Sequence, residues 1–566
     1  MAIWIATIGA LDGSNASKTL YFSDVSYIDN DGNYFENRML QPALIKVSPD
    51  DGGTFNIFSS ASIGEIELIN KDGGLNYLMN YALDNGNINL SLIADDGTKN
   101  DYLTGKTESI RFSGDSVFLT VRSMSEVLSR NHTNTKFLGD NTLPNGVEGV
   151  VDDIKGNIKP RIFGSVLNAT PILVNTSQLI YQFSDRTTAT INAVYDKGAA
   201  LTLHQAYTWA DFALFMAHTG IASGRYVTCA GYAKLGASPI GTVTGDCSDA
   251  ISIATSATSF LIGVGSKTFT TQASKDFAAG NILIIYSAAN KSNFMKGTVT
   301  SYTTTSLVMN ITSVGGAGTF ADWVISSCLA GDVFEAILTE ETLTLNSTSK
   351  KLLNTYGDVG IFVNSEISTT DLLNQICKSC GSYWYFLQNV VYAKSITLAT
   401  TYTLDLTNSE LITIDIISTG IGENGLPVES VSIEYDKIET VQKETDLAGV
   451  VTTARKAVLA NQYRKYFTND AAVKTRHPLS NAIKMQSCLR TLSSATTVGN
   501  QLLALAKNRV DVVNITAVVN EIPSLNLGDG VIVFSDKLSY DYGKILTIIG
   551  FQIDAKRKEI ILECIG

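Results

Sequence analysis

The sequence predicts a mainly β, multidomain chain of the β-rich α+β class, with a few short helices and one small inserted β module. Three observations predict it. Thr, Ser, Val, Ile and Tyr are abundant beside 45 glycines, while only short windows carry helical spacing. Alternating apolar and polar runs recur from end to end. One segment, Ser248 to Ser327, has 25 Ser or Thr and only seven charged residues in 80, unlike its flanks.

Taken in order, the predicted strands include Ala43–Val47, Ile63–Leu68, Ile88–Ile93, Ser116–Val121, Val431–Tyr435 and Val531–Phe534. Turn signals separate strands at Asp31-Gly32, Asn85-Gly86, Asp96-Gly97 and Asn145-Gly146. Five helices interrupt them. Leu75, Leu78, Met79 and Ala82 share one face of the first, and the second covers Trp209–His218. A third runs over Thr370–Cys380, a fourth over Val458–Tyr466 and a fifth over Thr497–Asn508. Lys507 and Arg509 near the last end suit the helix dipole.

With 566 residues, the chain suits three to four domains at about 150 residues each. The Ser/Thr-rich segment reads as a module inserted into a host loop, between Thr244-Gly245-Asp246 and Cys328-Leu329-Ala330-Gly331-Asp332. The net charge of −12 argues against a nucleic-acid-gripping surface. The N-terminus lacks a basic region with a long apolar stretch, so no signal peptide is read. The best apolar run, Ile282–Tyr286, is strand-sized. Seven cysteines, few and odd in number, suggest free thiols in a reducing compartment.

Chemistry-bearing motifs are sparse. Gly263-Val264-Gly265-Ser266-Lys267-Thr268 lacks the glycine that a phosphate loop needs before its lysine, so a β-turn is expected. Asp29-Asn30-Asp31-Gly32 would put Tyr27 and Arg38 at the end-ligand positions of a calcium loop, so a hairpin turn fits better. Cys377 and Cys380 have metal or redox spacing without a second pair, and packing on one helix face explains them. His132, His204, His218 and His477 are scattered outside any hydrolase or zinc motif. Glu340-Glu341 and Asp152-Asp153 read as solvated faces. No catalytic residue, metal site or cofactor is expected.

Whole-segment patterns say more. The stretch Gly231–Asp246, GYAKLGASPIGTVTGD, resembles a motif of phage and prophage tail proteins of the baseplate-hub, or tail-tip hub, family. Tyr232, Leu235, Gly236, Pro239, Gly241, Val243, Thr244 and Asp246 fall on that motif. Ala233, Lys234 and Gly245 depart from it, and Lys234 replaces an arginine, which removes the fork needed for bidentate contacts. The stretch from Gly64 to Leu90, the helix and hairpin over Ser368–Ala393, and the closing Leu527-Gly528-Asp529 with its following strands also resemble hub segments, in the same order.

The resemblance implies tube-like β-barrel domains, two per chain, in a homotrimeric ring that closes the tail tube of a long-tailed phage. It implies distal tail, tape-measure and tip or fibre proteins as partners, and genomic DNA that passes without specific binding. The expected place is the virion tail tip, after synthesis in the host cytoplasm, with a structural and non-enzymatic role. The expected divisions are 1–157 for the first tube-like domain, 158–245 with 331–420 for intermediate domains, 246–330 for the inserted module, and 421–566 for the second tube-like and closing part. The module resembles those of tail fibres and tips. A second reading is therefore a receptor- or glycan-binding tip protein that touches the host cell surface. Trp323, Tyr302, Phe294 and Tyr286 could stack on sugar rings there, although a module core is the competing role for Trp323.

Overall fold

The computed structural model describes residues 3–42, 45–47, 64–123, 128–141, 146–150, 153–275, 277–289, 293–387, 390–422 and 425–566. The predicted turn residue Asn145, the acidic Asp152, Ala43 and Ile63 lie outside them. Among the described residues strand accounts for 47% and helix for 15%, so the fold is β-rich as the sequence implies.

The first nine-stranded sheet uses residues from Ile3–Leu11 to Ser116–Ser123. Alternation in Asn87–Ile93 places Ile88, Leu90 and Leu92 in its core. This sheet curls without closing into a barrel. Tyr34–Asn37 pairs with Ser17–Ser23, whereas Met39–Gln41 pairs with Glu65–Ile69 at the other edge. Only Arg38 separates them, and its main chain serves both sides: its amide donates to the Ser23 carbonyl at 3.0 Å and its carbonyl accepts from the Ile69 amide at 2.7 Å. Its guanidinium grips Asp72 with two bonds of 2.8 and 2.9 Å and Glu36 with one of 2.9 Å.

The C-terminal seven-stranded sheet repeats this plan. Its outer strands, Leu404–Leu406 and Leu411–Ser418, are neighbours in sequence but pair with Gly530–Ser535 and Val512–Val518 respectively. The expected barrels are thus open, curled sheets. Ile45–Val47, from the N-terminal part, joins the C-terminal sheet by pairing with Phe551–Ile553. A single apolar core runs through both sheets and the helices between them.

Two five-stranded sheets occupy the middle. One contains Arg161–Ala169, Thr190–Asp196, Val243–Asp249 and Gly360–Val363; the other contains Ile172–Asn175, Ile180–Gln182, Thr202–Tyr207, Arg225–Cys229 and Tyr232–Leu235. Residues from Ile251–Ser256 to Trp323–Ser327 form a six-stranded sheet with its own core, and Ile251 lies opposite Ser327. The phosphate-loop look-alike is corrected from a turn to the start of a strand, Gly265–Thr270, with only Gly263 and Val264 before it, whereas Asp29–Gly32 turns a hairpin as expected.

Helix placement needs three corrections. Leu75–Ala82 makes one 3-10 turn, Asn76–Asn80, because Leu75 and Leu78 alone are buried and a three-residue turn aligns them. Thr453–Leu459 is helical, but Arg464–Asn469 is a strand paired with Ser430–Tyr435, so Val458–Tyr466 is not one helix. Tyr463, Tyr466 and Phe467 favour that strand. Helices Ala330–Glu340, Ser347–Asn354 and Ala471–Arg476 go unread in the sequence. The helix Thr369–Ser379 is capped by Ser368, whose hydroxyl accepts from the Asp371 amide at 3.0 Å. It buries Leu372, Leu373, Ile376 and Cys377 against the hairpin of Ser382–Leu387 and Val390–Ser395.

Candidate functional site

The residues of the Gly231–Asp246 stretch serve as a joint between the two middle sheets. Tyr232–Leu235 belongs to one sheet and Val243–Asp249 to the other. Tyr232 is buried, its hydroxyl accepts from Gln182 Nε2 at 2.9 Å, and its ring stacks beside Trp209. Leu235 enters the core. Gly236 must lack a Cβ, which would lie 2.3 Å from the Ala222 carbonyl oxygen. Half-buried Pro239 sits in the connecting loop. The Asp196 carboxylate then clamps that loop, accepting from the Ile240 and Gly241 amides at 2.8 and 2.9 Å.

The far end is pinned more tightly. Thr244 is buried and donates to Asn168 Oδ1 at 2.7 Å. Asp246 accepts from the Asn168 amide at 2.9 Å and from the Tyr195 hydroxyl at 2.7 Å. Asn168 holds a left-handed φ of 55° and donates from Nδ2 to the Thr440 carbonyl at 2.6 Å. The motif therefore also anchors the 438–442 segment. Lys234 compensates for the missing arginine differently. Its buried ammonium donates to Gln178 Oε1, the Met216 carbonyl and the His218 carbonyl at 2.8, 3.0 and 2.7 Å, which uses all three protons. Burial lowers its pKa.

A second cluster escapes the sequence reading. Glu340 is exposed and Glu341 half-buried, as a solvated face would be, but both are held in ion pairs. His132 Nδ1 lies 3.0 Å from Glu341 and Nε2 lies 3.1 Å from Glu340. Arg161 reaches Glu340 at 3.0 Å and Asp185 at 2.6 Å, while Arg186 contacts Glu340 and Asp249. The knot ties the 128–141 segment, the middle sheet and the end of helix Ala330–Glu340 together. Burial lowers the His132 pKa below its ordinary value, against the pull of Glu341 and with the help of Arg161 and Arg186. No spacing rule links His132 to Glu340; only the fold brings them together.

The proposed sugar-stacking residues of the module separate. Trp323 is fully buried, donates from Nε1 to the Thr258 carbonyl at 2.9 Å and packs against Phe269 and Phe320. It offers no face to a ligand, which corrects that assignment. Tyr302 is half-buried, with its hydroxyl donating to the Thr304 carbonyl at 2.6 Å and its ring edge-on to Phe277. Tyr286 and Phe294 are half-buried partners in register on the face opposite Leu283, Ile285 and Met295.

All seven cysteines are free thiols; Cys377 and Cys380 are buried, and Cys488 alone is half-exposed. Among the described residues no group of three or more His, Cys, Asp or Glu is placed to hold a metal, and no helix is long and apolar enough to cross a membrane. His204 and His218 do meet, with ring centroids 5.3 Å apart, and His218 Nδ1 lies 2.7 Å from the Tyr207 hydroxyl. His477 stands apart at the end of helix Ala471–Arg476.

No family model matches the chain. No curated protein matches it. Several solved structures are similar to part of it. A tail protein from Neisseria meningitidis MC58 is 9% identical over 54% of this chain and 97% of that one, with a TM-score of 0.28. The 43 kDa tail protein of prophage MuSo2 from Shewanella oneidensis is 10% identical over 54% and 98%, with a TM-score of 0.27. The prophage tail protein gp18 from Listeria monocytogenes EGD-e is 10% identical over 52% and 90%, with a TM-score of 0.25. These neighbours are tail proteins, but likeness this slight leaves fold and role to be argued from the chain itself.

Proposed function

We propose that the chain is a structural, non-enzymatic baseplate-hub protein of a long-tailed phage or related element. The observation that carries this reading is the pair of open, curled sheets, one from each end of the chain, coupled by Ile45–Val47. Three chains would supply six such sheets, which suits a threefold ring seated on a sixfold tube. The outer strands of each sheet keep one edge without a partner among the described strands, as subunit contacts in a closed ring require. The motif resemblance at Gly231–Asp246 supports the same reading, because its residues build the rigid joint between the middle sheets.

On this reading, the sheets of 3–123 and 404–565 form the ring, the two middle sheets brace it, and the 246–330 module projects as an insertion; the expected boundary at 421 moves back, because Leu404–Leu406 and Leu411–Ser418 are outer strands of the seven-stranded sheet. Distal tail, tape-measure and tip or fibre proteins would be neighbours in the virion. The acidic chain would repel passing DNA instead of holding it. Immunogold labelling of the parent particle with antibody against this chain tests the location. Gold at the tail tip is expected; gold on the capsid or none on the particle would overturn the reading.

A further inference from the structure

Gly360–Val363 is the last strand of one middle sheet, and Ala482–Gln486 is the last strand of the three-stranded sheet that contains Ser430–Tyr435. The two edges touch at one end. The Gly360 amide donates to the Cys488 carbonyl at 2.9 Å, and Val359 bridges Leu489 in antiparallel fashion. Beyond that contact the edges are not paired to each other or to any other described strand. A cavity of about 470 Å³ opens between them. Its lining includes Lys378 from helix Thr369–Ser379, Lys437 and Lys484, against a single carboxylate, Glu439. In a chain of net charge −12, this concentration of lysines is a local reversal of sign. Glu439 is nearly buried and already bound to Lys437 at 2.7 Å.

From this geometry we infer that the cavity receives an extended acidic segment of another protein, added as a strand between the two open edges. Main-chain groups of Phe362, Lys484 and Gln486 on the outer edges supply a template for a ladder, since alternation places them on the side of the Gly360–Cys488 contact. Five residues in Ala482–Gln486 limit the added strand to about 17 Å at about 3.3 Å per residue. Carboxylates at every second position of that strand would share one face, within reach of the lysines that line the cavity. This inference does not depend on the hub reading.

The test uses the full chain and a fluorescent nine-residue peptide of alternating glutamate and valine. Binding is expected by anisotropy, weakened by salt, and absent for the lysine-valine counterpart. Lys484→Glu, at an exposed position, should weaken binding about tenfold. Gln486→Pro removes an edge N–H without touching a lysine and should weaken it comparably. Bound peptide should also slow alkylation of half-exposed Cys488, the other six thiols being buried. Binding unchanged in both variants, or free glutamate competing as well as the peptide, would overturn the proposal. So would no binding at low salt.

Discussion

Asn168 and Asp246 hold each other across two strands. The Asn168 amide donates to Asp246 Oδ1 at 2.9 Å, and the strained φ of 55° at Asn168 persists because Thr244 and Asp246 both fix it. Asp246→Ala would leave the Asn168 amide and the Tyr195 hydroxyl without their acceptor. The expected loss is about 2–3 kcal/mol of stability, against about 1 kcal/mol for Tyr195→Phe, which removes one bond alone. Chemical denaturation checks the ranking.

Acidification should loosen the knot around His132. Its folded pKa lies below 6.5, so the unfolded chain takes up the proton first, and stability is lost as pH falls below about 6.5. The groups that face it are Glu340, Glu341, Arg161 and Arg186. His132→Gln should flatten the fall in melting temperature between pH 7 and 5, relative to the parent chain.

Asp358 should act in the opposite sense. Burial pushes its pKa from 3.8 up to about 6, although Lys296 and Arg490 pull it down, and its Oδ1 has no hydrogen-bond partner. The folded chain therefore holds this proton longer, and the stability it contributes is full below pH 3.8 and lost as pH rises through 6. Asp358→Asn should raise stability at pH 8 by about 1–3 kcal/mol, with the gain vanishing near pH 4. Paired denaturation curves at the two pH values decide this.

Trp323→Ala should empty the centre of the 251–327 module at a cost of about 3–5 kcal/mol. Hydrogen exchange should rise across Ile251–Ser256, Ile282–Ser287 and Phe294–Thr303. Protection in the seven-stranded sheet should stay as it was, because the module has its own core.

Much of this fold is legible in the sequence where the physics is local. The strand Val431–Tyr435 is found as Ser430–Tyr435, and Val531–Phe534 as Gly530–Ser535, because alternation reports a half-buried strand directly. The helix at Thr369–Ser379 is found from one apolar face. What is not legible is closure and long-range charge. Arg38 marks where the chain passes from pairing with Ser17–Ser23 to pairing with Glu65–Ile69, and nothing in its neighbours announces that switch. His132 and Glu340 are brought together by a chain path of two hundred residues, so a pair of adjacent glutamates reads as ordinary surface. Trp323 illustrates the limit in another way: an indole looks the same in a sequence whether it faces a sugar or a phenylalanine.

The proposed hub role requires a threefold ring with a pseudo-sixfold rim. Electron cryomicroscopy of the intact parent particle tests it most directly. Three copies at the tail tip are expected, with the 3–123 and 404–565 sheets alternating around one lumen. Copies at the periphery, or a ring in which those two sheets do not share one lumen, would contradict it.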